Sequence, residues 1–236
     1  MSTLDYKPSY RRNLPHIQPL GATFFITFRL AGSLPRAVVK QWAAEKRRLE
    51  QELVRLTDAQ ERARREREFQ RRWFRYSEEL LHKAQCGPTW LKDERIAGMV
   101  AESLHFRDGK VYRLDAFCIM PNHVHVVFAP LPVNVGQAGS LSNDVQADSL
   151  HYSAQVDNLC YYSLASILHS LKRRTARQAN RLLGRRGTFW EHESYDHYVR
   201  DEDEWRRIVA YVLNNPVKAG LVQHWQEWPW SYYRLA

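Results

Sequence analysis

Met120-Pro121-Asn122-His123-Val124-His125-Val126-Val127-Phe128 is the stretch that decides how this chain folds and where its chemistry sits. Val126, Val127 and Phe128 have strong β preference, so the run reads as a strand entered through a tight Pro121-Asn122 connection. Side chains alternate along a strand, which puts His123 and His125 on one face and turns Val124 into a core on the other. Two imidazoles a few ångströms apart are the first half of a divalent metal site. Taken alone, His-x-His is more often a pair of ordinary half-exposed strand histidines, so its surroundings must decide.

Working outward, residues 111–119 read as a second strand leading into this one. Residues 23–30 (Thr-Phe-Phe-Ile-Thr-Phe-Arg-Leu) read as the first, rich in aromatic and β-branched residues. Residues 93–106 carry Ile96, Met99, Val100 and Leu104 on one side of a helix, and residues 162–183 carry Leu164, Ile167, Leu168 and Leu171 in the same way. Residues 194–199 alternate like a short strand. Asp201 to Glu204 load acids at the start of a helix over 202–214, where the macrodipole favours them, and Pro216 stops it. A tail with Trp225, Trp228 and Trp230 is expected to pack down as a clamp. The order strand, helix, strand, strand, helix, strand, helix predicts an α+β fold: a ferredoxin-like split βαβ antiparallel sheet with helices on one face.

Two segments fall outside that pattern. From Pro35 to about Lys83 the chain is dominated by Arg, Glu, Gln and Lys, with a seven-residue seam at Trp42, Leu49, Leu53, Leu56 and Ala63 that fades over 58–68. Thr57 could cap a new helix there, so a helical hairpin and one long charged helix are both open. The Arg run reads better as a solvated face laced with i,i+4 ion pairs than as a phosphate grip. Residues 131–161, with Gly136, Gly139 and many Ser, Asn and Asp, read as a flexible or lid-like loop. The expectation is one domain over 1–236, with a helical insertion at about 36–85 and the loop at about 131–161. Residues 1–20 read as an irregular basic arm.

The chain has 236 residues, enough for one sizeable core, and 44% hydrophobic content excludes a disordered chain. No run approaches the roughly 18 apolar residues of a membrane span, and the first residues lack a signal-peptide core. Cys86, Cys118 and Cys160 are odd in number and lack Cys-x-x-Cys spacing, which fits a reducing compartment. A soluble cytoplasmic protein is expected. A formal charge of +9 favours a polyanionic partner, and eight Trp and twelve Tyr offer flat surfaces for unpaired bases, although most will be core.

On the last helix Tyr211 and Asn215 lie four apart, on one face. If that helix packs beside the histidine strand, Asn215 could give a metal its oxygen ligand and Tyr211 would sit next to the same ion. A lone helix Tyr is far more often core than nucleophile. Tyr195 and Tyr198, near His192 and His197, compete for the role but have no amide one turn away. Tyr195 is the reserve choice, and His197 reads as structural.

Several blocks occur together in a fixed order. They are Met-Pro-Asn-His-Val-His-Val-Val at 120–127, Trp90-Leu91 with Ile96-Ala97, Leu171-Lys172 with Thr175-Ala176, Gly187-Thr188-Phe189-Trp190, and Tyr-Val-Leu-Asn-Asn-Pro-Val-Lys-Ala-Gly-Leu-Val at 211–222. The first is similar to the HUH motif (His, bulky apolar residue, His) of single-tyrosine transposases. The ordered set resembles the REP-associated tyrosine transposases, a branch related to IS200-like insertion-sequence transposases. The likeness runs from about Pro19 to Tyr233 and leaves out the charged insertion and the 131–161 loop.

The resemblance implies that His123, His125 and Asn215 bind a divalent ion, Mg2+ or Mn2+. It also implies that Tyr211 attacks a DNA phosphorus to give a 5′-phosphotyrosine and a free 3′-hydroxyl. A phenol has an unperturbed pKa near ~10, so a cation or a base must activate it, and the sequence does not name that base. The implied substrate is single-stranded or hairpin DNA at REP-like palindromes. Lys172, Arg173, Arg177, Arg181, Arg185 and Arg186 would meet its phosphates, while Trp190 and the arm at 6–19 are candidates for stacking on unpaired bases. A monomer using its own tyrosine is expected over a dimer that exchanges the tyrosine helix. A hairpin-binding protein that no longer cuts, and a replication-initiator or relaxase nickase, are the alternatives. The intact quartet argues against the first and the short chain without a helicase region against the second.

Overall fold

The computed structural model describes residues 9–11, 15–17, 21–84, 86–134, 152–156 and 159–235. Its centre is the histidine strand β5 (His123–Pro130), flanked by β4 (Tyr112–Ile119) and β3 (Phe24–Leu30). Outside β3 lies β9 (Trp190–Tyr198), and outside β4 lies β10 (Ser231–Tyr233). The strand order is β10-β4-β5-β3-β9, with every neighbouring pair antiparallel. Leaving out β10, this is the split βαβ arrangement that the order of elements predicts. Val, Phe and Ile dominate β3 to β5, and every residue of β5 but one is buried, as a strand covered on both faces requires.

Both faces carry helices. Phe24, Ile26, Phe28, Val124, Val126 and Phe128 pack under α3 (Glu94–Arg107) and α4 (Leu164–Leu182). The opposite face presents Phe25, Ala116, Cys118, Met120 and Val127, and α5 (Glu202–Leu213) covers it with Val209, Val212 and Leu213. The expectation of helices on one face holds for α3 and α4 only. The second face is apolar as well, so it needs its own cover. After Asn214 the chain continues as a single turn, α6 (Asn215–Lys218), so Pro216 begins a helical turn where the sequence suggested a stop.

The charged insertion is a hairpin and not one rod. Helix α1 (Arg36–Arg55) and helix α2 (Ala59–Lys83) are separated at 56–58, and Asp58, one residue beyond the expected Thr57, caps α2 by accepting from Gln60 N at 2.8 Å. Trp42 closes the pair: its ring stacks on Phe69 at 3.9 Å and on Trp73 at 4.3 Å. The outer face carries the expected ion pairs, Glu61 with Arg64 and Arg65 and Arg64 with Glu68. Phe74 of α2 joins the apolar cluster under α5, which lays the end of the hairpin on the histidine face.

Within 131–161 the structure shows strands where the sequence suggested an irregular loop. β6 (Pro132–Asn134), β7 (Tyr152–Val156) and β8 (Leu159–Tyr162) form a small sheet in the order β6-β8-β7. The β-forming runs at 152–156 and 159–162, on either side of Asp157-Asn158, are a hairpin signal that the surrounding Ser and Asp obscure. The rest of that expected loop, 135–151 with 157 and 158, lies outside the described residues. Of the arm, β1 (Ser9–Arg11) pairs with β2 (Pro15–Ile17). The tryptophan tail pins the β4 edge, since Trp228 Nε1 donates to Ile119 O at 3.0 Å and Trp230 O accepts from Ile119 N at 2.9 Å. Just beyond Trp230, Ser231–Tyr233 add a fifth strand too short to show as alternation. No described helix is long and apolar enough to cross a membrane.

The hairpin returns to the sheet at Gly87, whose φ is +77°. A Cβ there would lie 2.1 Å from Gly32 O and 2.7 Å from Ser33 Cα, both of them backbone atoms that have no room to give. Gly87→Ala is therefore expected to lower the unfolding free energy by about 3 kcal/mol in urea titrations, through combined clash and φ strain. A loss under about 0.5 kcal/mol would show that this joint is not fixed.

Candidate metal centre and active site

Register places the site. In β5, His125 lies opposite Thr27 of β3 on one side and Cys118 of β4 on the other, and Thr27 in turn faces Tyr195 of β9. His123 and His125 are both fully buried on the face under α5 and α2, with Nε2 atoms 3.0 Å apart. Each ring is held from behind: His123 Nδ1 meets Asn122 Oδ1 at 2.7 Å, and His125 Nδ1 meets Thr27 Oγ1 at 2.7 Å. Asn122 is itself fixed, its amide donating to Leu81 O of α2 at 3.0 Å. Such backing sets the ring tautomer and aims Nε2 forward, as it does behind metal-binding histidines.

Helix α5 and the turn after it bring Tyr211 and Asn215 onto the same spot. The Tyr211 ring lies edge-on to His125 at 5.6 Å, with Lys218 Nζ 4.5 Å from its centroid. Asn215 is fully buried; its amide donates to Tyr211 O at 2.8 Å, which turns Oδ1 toward His82 Nε2 at 2.6 Å. The last helix thus lies against the histidine strand, as the sequence reading supposed, but the Asn215 oxygen faces a third imidazole and not the pair.

That third imidazole and a carboxylate come from the insertion, which the sequence reading left out of the chemistry. Glu78 Oε2 lies 3.1 Å from His125 Nε2 and accepts the hydrogen bond of the Tyr211 hydroxyl. His82, one turn on, lies 3.8 Å from the same oxygen. One ligand atom from each of Glu78, His82, His123 and His125 falls within 4.8 Å of the others. The signal was a Glu-x-x-x-His pair near the end of α2, adjoining Leu81, but it sits in a run so rich in charge that nothing marks it as buried.

Burial opposes charge on Glu78, yet His125, His123 and the Tyr211 hydroxyl outweigh that penalty and bring its pKa to about 2. Burial, with His125 alongside, holds His123 well below the ordinary imidazole value. Burial and the Glu78 charge push the Tyr211 phenol far up, so its resting form is the neutral hydroxyl. The reserve tyrosine, Tyr195, is packed between Phe25 and Phe74, stacked on the latter at 4.2 Å, and burial raises its pKa as well. His197 pairs with Glu204 at 3.1 Å. A cavity of about 320 Å³ opens beside Glu78, between the hairpin and strands β3 and β9, with Trp42, Trp73 and Arg29 in its walls.

The expected DNA-contacting residues lie on another surface, along α4 and the turn after it, on the far side of the sheet. Arg173, Arg177, Arg181 and Arg186 are exposed. Lys172 is engaged with Glu191 O, His192 O and Ser194 Oγ, and Arg185 stacks over Trp90 and donates to Asn180. Trp190 does not fit the stacking role expected of it. It is 4% exposed, packs in the core against Phe28, and donates from Nε1 to Thr175 at 2.8 Å, so it has no face free for a base. The physical reason is that β9 begins at Trp190, four residues before the expected Ser194, which makes it a core-facing strand residue and not a turn tip. The side chains of the arm at 6–19 lie outside the described residues.

No family model matches the chain. A Haemophilus influenzae protein that bears the name REP-associated tyrosine transposase is 25% identical over 118 residues, 50% of this chain and 57% of its own. An uncharacterized protein from the same organism is 28% identical over 108 residues, 44% and 54% of the two chains. The chain thus spans little more than half the length of these curated relatives. A solved structure of a REP-associated tyrosine transposase bound to a REP hairpin covers 94% of this chain and 80% of its own, with a TM-score of 0.44 and 15% identity. The first match supports the likeness to REP-associated tyrosine transposases drawn from the motifs.

The buried neutral imidazole has a consequence for stability. Without metal, the unfolded chain takes up a proton on His123 near the ordinary value of 6.5, whereas the folded chain resists it. Unfolding free energy in EDTA is therefore expected to fall between pH 7.5 and 5.5, and less steeply in His123→Gln. The Glu78 contribution is lost lower, between its ordinary value of 4.5 and about 2, outside that window. Equal pH slopes for the two proteins would contradict the assignment.

Proposed function

We propose that the protein is a metal-dependent, single-tyrosine endonuclease and strand transferase of HUH type that nicks and rejoins single-stranded DNA beside REP-type hairpins. One observation carries this reading: Tyr211, Asn215, His123 and His125 meet in one buried centre, with a carboxylate against the phenol. An isolated core tyrosine has no need of such company.

In the proposed step, Tyr211 Oη forms a bond to a backbone phosphorus as the bond from phosphorus to the 3′ oxygen breaks. The phenol gives up its hydrogen, and the departing oxygen ends as a 3′-hydroxyl. Glu78 already accepts the Tyr211 hydrogen in a hydrogen bond, so it is placed to take that hydrogen as Oη attacks. Glu78 is thus the candidate for the base that the sequence did not name. The phosphotyrosine keeps the energy of the bond, so a returning 3′-hydroxyl can reverse the step and reseal a strand. A divalent ion held by His123, His125 and an oxygen donor, which the resemblance takes to be Asn215, would polarise a non-bridging phosphate oxygen. The imidazoles suit it: they are buried, close together and rigidly backed.

The substrate reading rests on charge and position. Arg173, Arg177, Arg181 and Arg186 would hold backbone phosphates along α4, with Lys172 and Arg185 as fixed cations beside them. β9 is an edge strand of the five-stranded sheet, between that surface and the histidine face, so a hairpin lying over its edge would meet both. Each chain brings its own Tyr211 to its own histidines, which favours a monomer acting in cis, as a soluble cytoplasmic enzyme.

Incubation with a labelled REP-type hairpin and Mn2+ is expected to trap a covalent protein–DNA adduct that Tyr195→Phe retains and Tyr211→Phe loses. An adduct in the Tyr211→Phe protein would overturn the nucleophile. Tight hairpin binding with no adduct from the unaltered protein would favour the non-cutting binder, a reading for which the tie between Tyr211 and Glu78 is the supporting observation.

A further inference from the structure

We propose that the inserted hairpin completes the metal centre: Glu78 of α2 is a ligand to the same ion as the Nε2 atoms of His123 and His125. Glu78 takes the oxygen-donor place that the resemblance gives to Asn215. The inference rests on the metal-dependent reading above and concerns which residues hold the ion.

The Asn122 amide donates to Leu81 O, so the atom facing His123 Nδ1 is an oxygen, which only accepts. His123 must then carry its hydrogen on Nδ1, and Nε2 of the neutral ring is a bare lone pair. That lone pair lies 3.0 Å from His125 Nε2, which lies 3.1 Å from Glu78 Oε2. Thr27 Oγ1, behind His125, can accept or donate. At best one hydrogen, on His125 Nε2, is present between these three atoms, and it can point at one acceptor only. If Thr27 accepts from a neutral His125, there is none. The Tyr211 hydroxyl also donates to Glu78 Oε2, but the imidazole lone pairs and the carboxylate still face one another away from water, which is costly unless a cation stands among them.

A second observation points the same way. The other carboxylate oxygen, Glu78 Oε1, is buried and has no hydrogen-bond partner among the described residues, and the side chain is only 7% exposed. A buried carboxylate oxygen without a donor costs more than a typical hydrogen bond contributes, and coordination is the usual remedy. His82 does not fill the same role. Its Nε2 faces Asn215 Oδ1, whose orientation is fixed by the amide bond to Tyr211 O, so that nitrogen carries the hydrogen. His82 is a positioning residue that holds Asn215, outside the inner shell.

Two imidazoles and one carboxylate make a set that leaves positions open and suits Mn2+ better than Mg2+, which favours all-oxygen shells. The choice between the two ions, open at the level of sequence, then falls to Mn2+. The insertion acquires a function as well: without α2 the site would keep its histidines and lose its carboxylate.

The test reads metal, not activity. Titration calorimetry on the full chain without DNA is expected to give Mn2+ binding at least about tenfold tighter than Mg2+. Glu78→Gln should weaken Mn2+ binding by about tenfold or more, while Glu79→Gln, its exposed neighbour, should leave it unchanged. Far-UV circular dichroism checks that Glu78→Gln folds. Should it not, oxidative cleavage by Fe2+ and peroxide in the unaltered protein supplies the readout, with cuts expected near residue 78 as well as near 123 and 125. Unchanged Mn2+ affinity in folded Glu78→Gln, or cuts confined to 123–125, overturns the inference and leaves the proposed tyrosine chemistry standing. An unaltered protein that binds no divalent ion would sink the inference and the metal dependence together.

Discussion

Three buried atoms that want the same partner govern the rest of this structure: Nε2 of His123, Nε2 of His125 and a carboxylate oxygen of Glu78. Bringing them together costs free energy, because each leaves water and at most one hydrogen is shared among the three. The fold offsets that cost with two apolar cores. β5 sits in the middle of the sheet, where Val124, Val126 and Phe128 anchor it from one face and Val127 from the other. Asn122 and Thr27 then remove the remaining freedom of the rings, so the imidazoles have no room to turn away. A site built this way is preorganised before any ligand arrives.

The sheet also divides the labour. On one face α3 and α4 close the larger core and leave a row of arginines to solvent. On the other, α5 and α2 converge on the histidines from opposite ends of the chain, Glu78 and Tyr211 being 133 residues apart in sequence. The insertion is therefore more than a decoration on a smaller fold. Its outer surface is a lattice of ion pairs, but its last turns supply Phe74 to the core, Leu81 O to Asn122, and Glu78 to the phenol.

What the sequence made legible was local periodicity. Alternation put His123 and His125 on one face, four-residue spacing put Tyr211 over Asn215, and the order of elements predicted the sheet. Glu78 and His82 were hidden because a helix of Arg and Glu looks the same whether one of its acids is solvated or buried; only long-range docking decides. The resemblance aims the Asn215 oxygen at the metal, yet its direction depends on His82, which comes from the charged insertion 133 residues away in sequence. Trp190 is a core residue because the strand starts earlier than its alternation shows, and the β10 strand is too short to alternate visibly. The cover on the second face escaped for a related reason: Phe25, Ala116, Cys118 and Val127 are spread over three strands and show as one surface only once the register is known.

The most direct measurement is an anomalous-difference map from crystals of the full chain grown with Mn2+. The account predicts one strong peak bonded to Nε2 of both His123 and His125 and to the Glu78 carboxylate, at about 2.1–2.3 Å from each, with the Tyr211 hydroxyl beside it. A peak held by the histidines with Glu78 swung away, or no peak at this centre in crystals that bind Mn2+ elsewhere, would contradict it.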